Sequence, residues 1–270
     1  MQVTKQNINK EFETFNKENF KPIVLYEDDY CLVINKPAGI MSHPVDPSHI
    51  KLGEIVYTIS DWMRDNYPES IKIDEARPGI VHRLDRDTSG CMLLVKDPKE
   101  YNKYKTQFQD HSIKKVYLAI VSGLIKENTG VIDTPIARAR SDFRKKEAKN
   151  EFSKDYRGEL REALTRYKVI ERIGGGVNSF SLIECLPMTG RTHQIRVHLR
   201  SIRHPILGDQ LYGSRQSGNQ APRQMLHAKS LEFTSFKHGD GISKDKIKIK
   251  VEAPIPSDMA ETLEKIKKMC

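Results

Sequence analysis

The stretch HRLDRDTSG, residues 82–90, sets two carboxylates, Asp85 and Asp87, among two arginines, a histidine, a threonine and a serine, and closes on a glycine. Such a cluster suits proton transfer, metal binding or the stabilisation of a developing positive charge. Directly after it comes CMLLVKD, an apolar run that reads as a buried strand. Three further polar constellations adjoin strand or helix ends: NKPAG (35–39), KKVYLA (114–119) and TGRTHQIRVH (189–198). Each has a plain reading. Tyr117 is the kind of aromatic that strands bury. On a helix, Arg191, Ile195 and His198 would lie along one side and His193, Arg196 and Arg200 along another, which suits a solvated basic face. His193 and His198 are five apart, the wrong spacing for two ligands on one helical face, and the glutamate of H-E-x-x-H is absent, so no metal is expected.

These groups need elements to hold them. Residues 1–22 are polar, rich in Lys and Asn and without periodicity, and predict a flexible arm. Ile23–Tyr26 and Cys31–Asn35 read as two short strands around an EDD turn, ended by Pro37 and Gly39. Helical spacing predicts a helix over 52–66, and Asp97 with Pro98 opens another in DPKEYNKYKTQFQDHS. KKVYLAIVSG reads as a strand; LTRYKVIER and NSFSLIECLP read as a hairpin joined by IGGG. TGRTHQIRVHLRSIRHP reads as a helix stopped at His204-Pro205, QMLHAKSLEF and DKIKIKVEAP as late strands, and SDMAETLEKIKKM as a closing helix capped by Ser257. The charge-dominated residues 138–162 read as an exposed, partly mobile insertion. Strands and helices mix without strict βαβ alternation. The fold class is therefore α+β, a central mixed, mostly antiparallel sheet flanked by helices and loops.

A chain of 270 residues can bury a sizeable core, and no apolar run is long enough to span a bilayer. MQVTKQNINKEFETF lacks the apolar stretch of a secretory signal, so a soluble cytoplasmic protein is expected. The four cysteines, Cys31, Cys91, Cys185 and Cys270, form no C-x-x-C pair, which argues for free thiols rather than a zinc ribbon or a disulfide framework. The formal charge of +9 and a pI of about 9.2 point to a polyanionic partner.

HRLDRDTSG, with NKPAG upstream and GRTHQIRVHL, HPILGDQLYG and LHA downstream, resembles the RluA family of RNA pseudouridine synthases over roughly residues 23–255. The motifs are long, ordered and far apart. The resemblance implies the pseudouridine synthase fold in a catalytic domain over 23–270; many relatives also carry an N-terminal S4 RNA-binding domain, for which residues 1–22 are too few, so none is expected here. It implies isomerisation of specific uridines in rRNA or tRNA by base flipping, RNA as the partner, no cofactor and no metal, and action as a monomer. It marks Asp85, rather than Asp87, as the catalytic aspartate. Breaking the N1–C1′ bond builds positive charge at C1′, which an ionised carboxylate can stabilise, attack covalently, or relieve by removing the 2′ proton; these routes stay open.

A carboxylate charged in a dry pocket needs a cation, and the resemblance supplies Arg196. It gives Tyr117 a place against the target base, with its hydroxyl near the proton leaving C5, and Leu226 a place packing at the pocket. Arg83 matches a residue that enters the space left by the flipped nucleotide; His82 either contacts substrate or holds the loop. Lys36 is expected near phosphates, and Arg191 on the RNA-binding side of the GRTHQIR motif. Two other readings compete: a non-catalytic RNA binder that keeps the fold, and a metal-dependent phosphodiesterase built on Asp85, Asp87 and His82. The second lacks the further acidic cluster that an octahedral metal site wants.

Overall fold

The computed structural model describes residues 15–44, 56–149, 152–153, 155–176, 178–213, 221–238 and 244–269. Its centre is a sheet that runs β1-β2-β3-β11-β4-β10-β9-β5, with β12 paired to β11. The strands are β1 (Ile23–Glu27), β2 (Cys31–Lys36), β3 (Ser89–Val95), β4 (Lys114–Ser122), β5 (Thr129–Asp133), β9 (Leu164–Gly175), β10 (Asn178–Pro187), β11 (Leu226–His238) and β12 (Lys244–Glu252). Every pairing is antiparallel except β3 with β11. A mixed, mostly antiparallel α+β fold is thus observed. The helices are α1 (Ile59–Asn66), α2 (Tyr101–Gln109), α3 (Gln194–Ser201) and α4 (Ser257–Lys268).

β3 explains why the cluster before it can be held still. All seven of its residues are buried, as expected for a strand covered on both faces. Gly90, the glycine that closes HRLDRDTSG, has φ +113°, and a Cβ there would overlap the Ala228 carbonyl of β11. Only glycine lets the two backbones pair here, with His227 against Ser89 and Ala228 against Gly90. The residues before Gly90 are thereby anchored at the middle of the sheet.

The structure departs from the sequence pattern in several places. The core reaches into the predicted arm: Phe20 is buried and meets Phe15, Tyr57 and Trp62 edge to face, while residues 1–14 lie outside the described set. Of the helix predicted over 52–66, residues 52–55 lie outside the described set, and α1 begins at Ile59 behind a capping box of Thr58 and Asp61. α2 begins at Tyr101, because Asp97 bonds the Lys99 N–H as a turn rather than capping a helix. α4 takes Pro256, not Ser257, as its N-cap. The insertion at 138–162 contains real structure. β6 (Ile136–Arg138), β7 (Lys146–Ala148) and β8 (Arg157–Arg161) form a second sheet in the order β7-β6-β8. Alternation over three to five charged residues is too short a signal to read as strand. Cys31, Cys91 and Cys185 are free and buried, and Cys270 lies outside the described residues. Among the described residues, no helix is long and apolar enough to cross a membrane.

Candidate active site

Residues 85–88 form a tight turn closed by the Thr88 N–H donating to the Asp85 carbonyl at 3.1 Å. Neighbouring segments hold this turn on all sides. The Ser42 hydroxyl donates to the Leu84 carbonyl at 2.8 Å and accepts the Leu84 N–H at 3.1 Å. The Arg86 carbonyl accepts the Gly39 N–H at 2.9 Å and Lys36 Nζ at 3.0 Å. Arg223 Nη1 donates to the Asp87 carbonyl at 3.0 Å, and Gln224 Nε2 to the Thr88 hydroxyl at 2.8 Å. Asp85 thus projects from a loop whose own backbone is fixed before any substrate arrives.

The Asp85 carboxylate is asymmetric. Oδ2 accepts Arg196 Nη1 at 2.8 Å. Oδ1 has His193 Nε2 at 3.9 Å, beyond hydrogen-bond reach. One oxygen is therefore committed and the other is open. Burial alone would raise this carboxyl's pKa; the positive charges that His193 (when protonated) and Arg196 present, and the Arg196 hydrogen bond, outweigh burial and hold it below the usual carboxylate range.

Arg196 serves two carboxylates. Nε and Nη2 form a fork on Asp209, at 2.7 and 3.0 Å, while Nη1 reaches Asp85. Asp209 is fully buried, and its Oδ1 also accepts the N–H groups of Leu211 and Tyr212, both at 2.9 Å. The guanidinium lies 5.0 Å above the Tyr212 ring. Burial works against its charge, but the bonds to Asp209 and the charge of Asp85 raise its pKa further above an already high value.

His193 ends the polar loop and starts α3 in the left-handed conformation, φ 57°. Its Nδ1 lies 2.9 Å from the Tyr212 hydroxyl, which in turn accepts the Lys146 N–H at 2.8 Å. When the Tyr212 hydroxyl donates to Nδ1, the neutral imidazole carries its own proton on Nε2, facing Asp85. Burial is the main cause lowering the His193 pKa, with the Asp85 charge opposing it. Gln194 braces the same loop: Oε1 accepts the Thr189 hydroxyl and the Arg191 N–H, and Nε2 donates to the Leu164 carbonyl and the Thr165 hydroxyl.

These groups open on a cavity of about 490 Å³, lined by Arg83, Asp85, Tyr117, Arg191, Ile195 and Leu226 among others. Tyr117 comes from β4, and its hydroxyl makes no hydrogen bond among the described residues. Burial and the nearby Asp85 charge raise its pKa, so it stays a neutral phenol at pH 7. Leu226 is buried at the start of β11. Lys115 also lines the cavity, its pKa pulled by burial to about 8.

Most residues named from the sequence meet here. Arg83 is exposed at the rim, its Nη1 3.1 Å from His43 Nε2. Arg191 donates Nε to the Glu162 carbonyl at 3.0 Å and lines the cavity. His82 also lines it, but Nε2 accepts the Leu93 N–H at 2.9 Å and the ring stacks on Phe108 at 4.3 Å, so it ties the loop to β3. Burial lowers its pKa to about 3.

Lys36 corrects the expectation of a phosphate contact. It is fully buried, and its ammonium donates to the carbonyls of Pro37, Ile40 and Arg86 at 2.8, 3.0 and 3.0 Å. Each N–H has its own acceptor, so the group staples NKPAG to the Asp85 turn and has nothing left for RNA. The helix expected over 189–204 is another correction. Residues 189–193 form a loop, which lets His193 and Arg196 converge on Asp85. Asp87 points away, pairing with Arg86 at 3.0 Å. Among the described residues, no three His, Cys, Asp or Glu side chains are grouped to hold a metal ion.

Ser42, His43, Gln194, Asp209 and Tyr212 were not singled out from the sequence. For Asp209 and Tyr212 a signal existed: a carboxylate and an aromatic between two glycines in HPILGDQLYG.

Comparison with known proteins identifies the family and the fold. A family model described as RNA pseudouridylate synthase matches residues 29–201. An uncharacterized RNA pseudouridine synthase of Bacillus subtilis, YlyB, is 35% identical over 246 residues, covering 91% of this chain and 73% of that protein. Ribosomal large subunit pseudouridine synthase D of Neisseria meningitidis serogroup A is 36% identical over 250 residues, covering 89% of this chain but 60% of that protein. Among solved structures, human RNA pseudouridylate synthase domain containing 1 superposes with a TM-score of 0.64 at 22% identity, covering 92% of this chain and 95% of that one, a likeness of fold.

Proposed function

The chain belongs to the RNA pseudouridylate synthase family, and from that premise we propose that it isomerises specific uridines of rRNA or tRNA with Asp85 as the catalytic carboxylate. The observation that carries this reading is the asymmetry of Asp85. Oδ2 is held by Arg196, Oδ1 has no hydrogen bond among the described residues, and Asp85 lines a cavity large enough for a flipped nucleoside. A carboxylate kept ionised at that point can meet the positive charge that builds at C1′ as N1 departs. The uracil stays in the cavity, turns, and bonds C1′ through C5. The C5 proton leaves, and N1 gains one. Tyr117 offers a neutral phenol beside this proton exchange. Because the base neither leaves nor is replaced by water, one carboxylate suffices where a glycosidase needs two.

The target must leave its stack to reach Asp85, which costs a few kcal/mol and least at an unpaired uridine. Arg83, exposed and lining the cavity, is the residue this reading assigns to the gap. The reaction is internal to the nucleotide and needs no redox or group carrier, so the reading includes no cofactor. It takes the folded part of the chain as one catalytic domain, acting as a monomer in the cytoplasm. A uridine target in ribosomal RNA is favoured by the name of the Neisseria relative.

The test is to map pseudouridines in rRNA and tRNA from cells with the gene, without it, and complemented. A position lost on deletion and restored on complementation supports the reading. Identical maps from the three strains contradict it.

A further inference from the structure

The most charged segment of the chain meets the site just described through backbone hydrogen bonds, at the Lys146 N–H and the Glu162 carbonyl. In the small sheet, Arg138 of β6 pairs with Lys146 of β7 on one side and Arg157 of β8 on the other. Residues directly opposite in a sheet share a face, so three cations stand in a row across three strands, and like charges so placed repel. The neighbouring acids are engaged elsewhere: Glu159 with Arg161 at 3.1 Å, Glu147 with Lys149 at 2.9 Å and Asp142 with Arg144 at 2.8 Å. Among the described residues no ion pair reaches Arg138, Lys146 or Arg157. After burial, the charges of Arg138 and Arg161 are what lower the Lys146 pKa.

This row is joined to the active site. It lines a cavity of about 540 Å³ together with the Glu159–Arg161 pair and with Gly190, Arg191 and Thr192. Those same three residues line the cavity around Asp85. The Lys146 N–H is bonded to Tyr212, which contacts His193, so the sheet is held in fixed register with the catalytic loop. A cationic row without counter-charges, continuous with a cavity that takes one nucleotide of a polyanion, matches the backbone running on from that nucleotide.

We propose that Arg138, Lys146 and Arg157 form a phosphate track for the RNA strand flanking the target uridine. It rests on the reading of the chain as an enzyme acting on RNA. Arg191, at the junction of the two cavities, is where the strand passes from track to active site. The contacts go to phosphates, so they set affinity and register and carry no base preference.

The test compares the full chain carrying Arg138→Gln, Lys146→Gln and Arg157→Gln with a control carrying Lys248→Gln, Lys265→Gln and Lys268→Gln. The control removes the same charge from exposed positions outside both cavities. Affinity for a ribosomal RNA fragment is measured across salt concentrations, alongside single-turnover isomerisation. The track variant is expected to bind roughly tenfold or more weakly at moderate salt, with the slope of log K against log salt smaller by about two to three. The control should keep both. Removing mutual repulsion should leave the folded state at least as stable; should the triple variant not fold, Arg138→Gln alone reads out a slope change of about one. A track variant with unchanged affinity and slope overturns the proposal, and so does a control that loses as much, because the effect is then diffuse charge. Wild-type protein that binds RNA through the track but isomerises nothing overturns the catalytic reading and leaves the track standing. Wild-type protein that isomerises normally beside an indistinguishable triple variant overturns the track alone.

Discussion

Arg196 Nη1 lies 2.8 Å from Asp85 Oδ2, across 111 positions of sequence, while the other two guanidinium nitrogens grip Asp209. One cation therefore pairs with two carboxylates at the edge of the core. Replacing it with Met should strand both carboxylates, at a cost of about 3–5 kcal/mol in unfolding free energy, and remove activity. Arg196→Lys offers a point charge in place of a planar fork and cannot satisfy both partners, so turnover should fall about 10²-fold or more with a smaller stability loss. Urea denaturation with single-turnover kinetics separates the two effects. A fully active Lys variant is incompatible with the shared-cation geometry.

Acid should unfold the protein in two stages. His82 and His227 have folded-state pKa values lowered, chiefly by burial, to about 3 and about 4. Below about pH 6.5 the unfolded chain takes up protons that these folded-state histidines refuse. Each then costs about 1.4 kcal/mol per pH unit until its folded-state pKa is reached. Asp85 adds a later stage. Its depressed pKa contributes stability above the unfolded value of about 3.9, which is lost as pH falls through the folded value. Thermal midpoints measured from pH 7 to pH 3 should decline from about pH 6.5 downward, and His82→Gln should flatten part of that decline. A midpoint flat down to pH 4 contradicts this.

The same electrostatics fix the activity profile. Asp85 is ionised throughout the neutral range, and His193 is held below its ordinary pKa mainly by burial. The single-turnover rate should show no ionisation step between about pH 6.5 and 8 on the acid side. An inflection near pH 6.5 that disappears in His193→Gln would mean that the imidazolium form is required.

Lys36 should behave as a structural residue. Lys36→Met leaves the Pro37 and Ile40 carbonyls without this donor and unpins the Asp85 turn, at a cost of about 2–4 kcal/mol. Activity should fall, but the salt slope of RNA binding should not change, because no phosphate contact is removed. A slope lowered by about one would return Lys36 to the RNA surface.

The sequence was most readable where one face or both faces of an element are apolar. β2, β3, β4 and the β9–β10 hairpin sit close to where alternation and apolar runs place them. It was least readable where polar contacts decide. A helix period continues backward from Gln194 through TGRTH, but Gln194 bonds the loop at Thr189 and Arg191 and stops it becoming helix. Lys36 looked like a surface cation because nothing local shows that three carbonyls converge on it. Asp85, Tyr117 and Arg196 were found through the likeness of ordered motifs rather than through periodicity. Ser42 meets the Asp85 turn, and Asp209 meets Arg196, through contacts distant in sequence, which a linear pattern does not carry.

The central claim is that Asp85 does the chemistry, and the loss of the C5 hydrogen reads this directly. RNA carrying tritium at uridine C5 releases it to water when C5 bonds C1′. Asp85→Asn keeps the shape and can still accept from Arg196, so the fold and the RNA affinity should survive. Tritium release should fall to background, and in Asp85→Ala likewise. Release from either variant at a rate near wild type would contradict the assignment of Asp85 as the catalytic carboxylate.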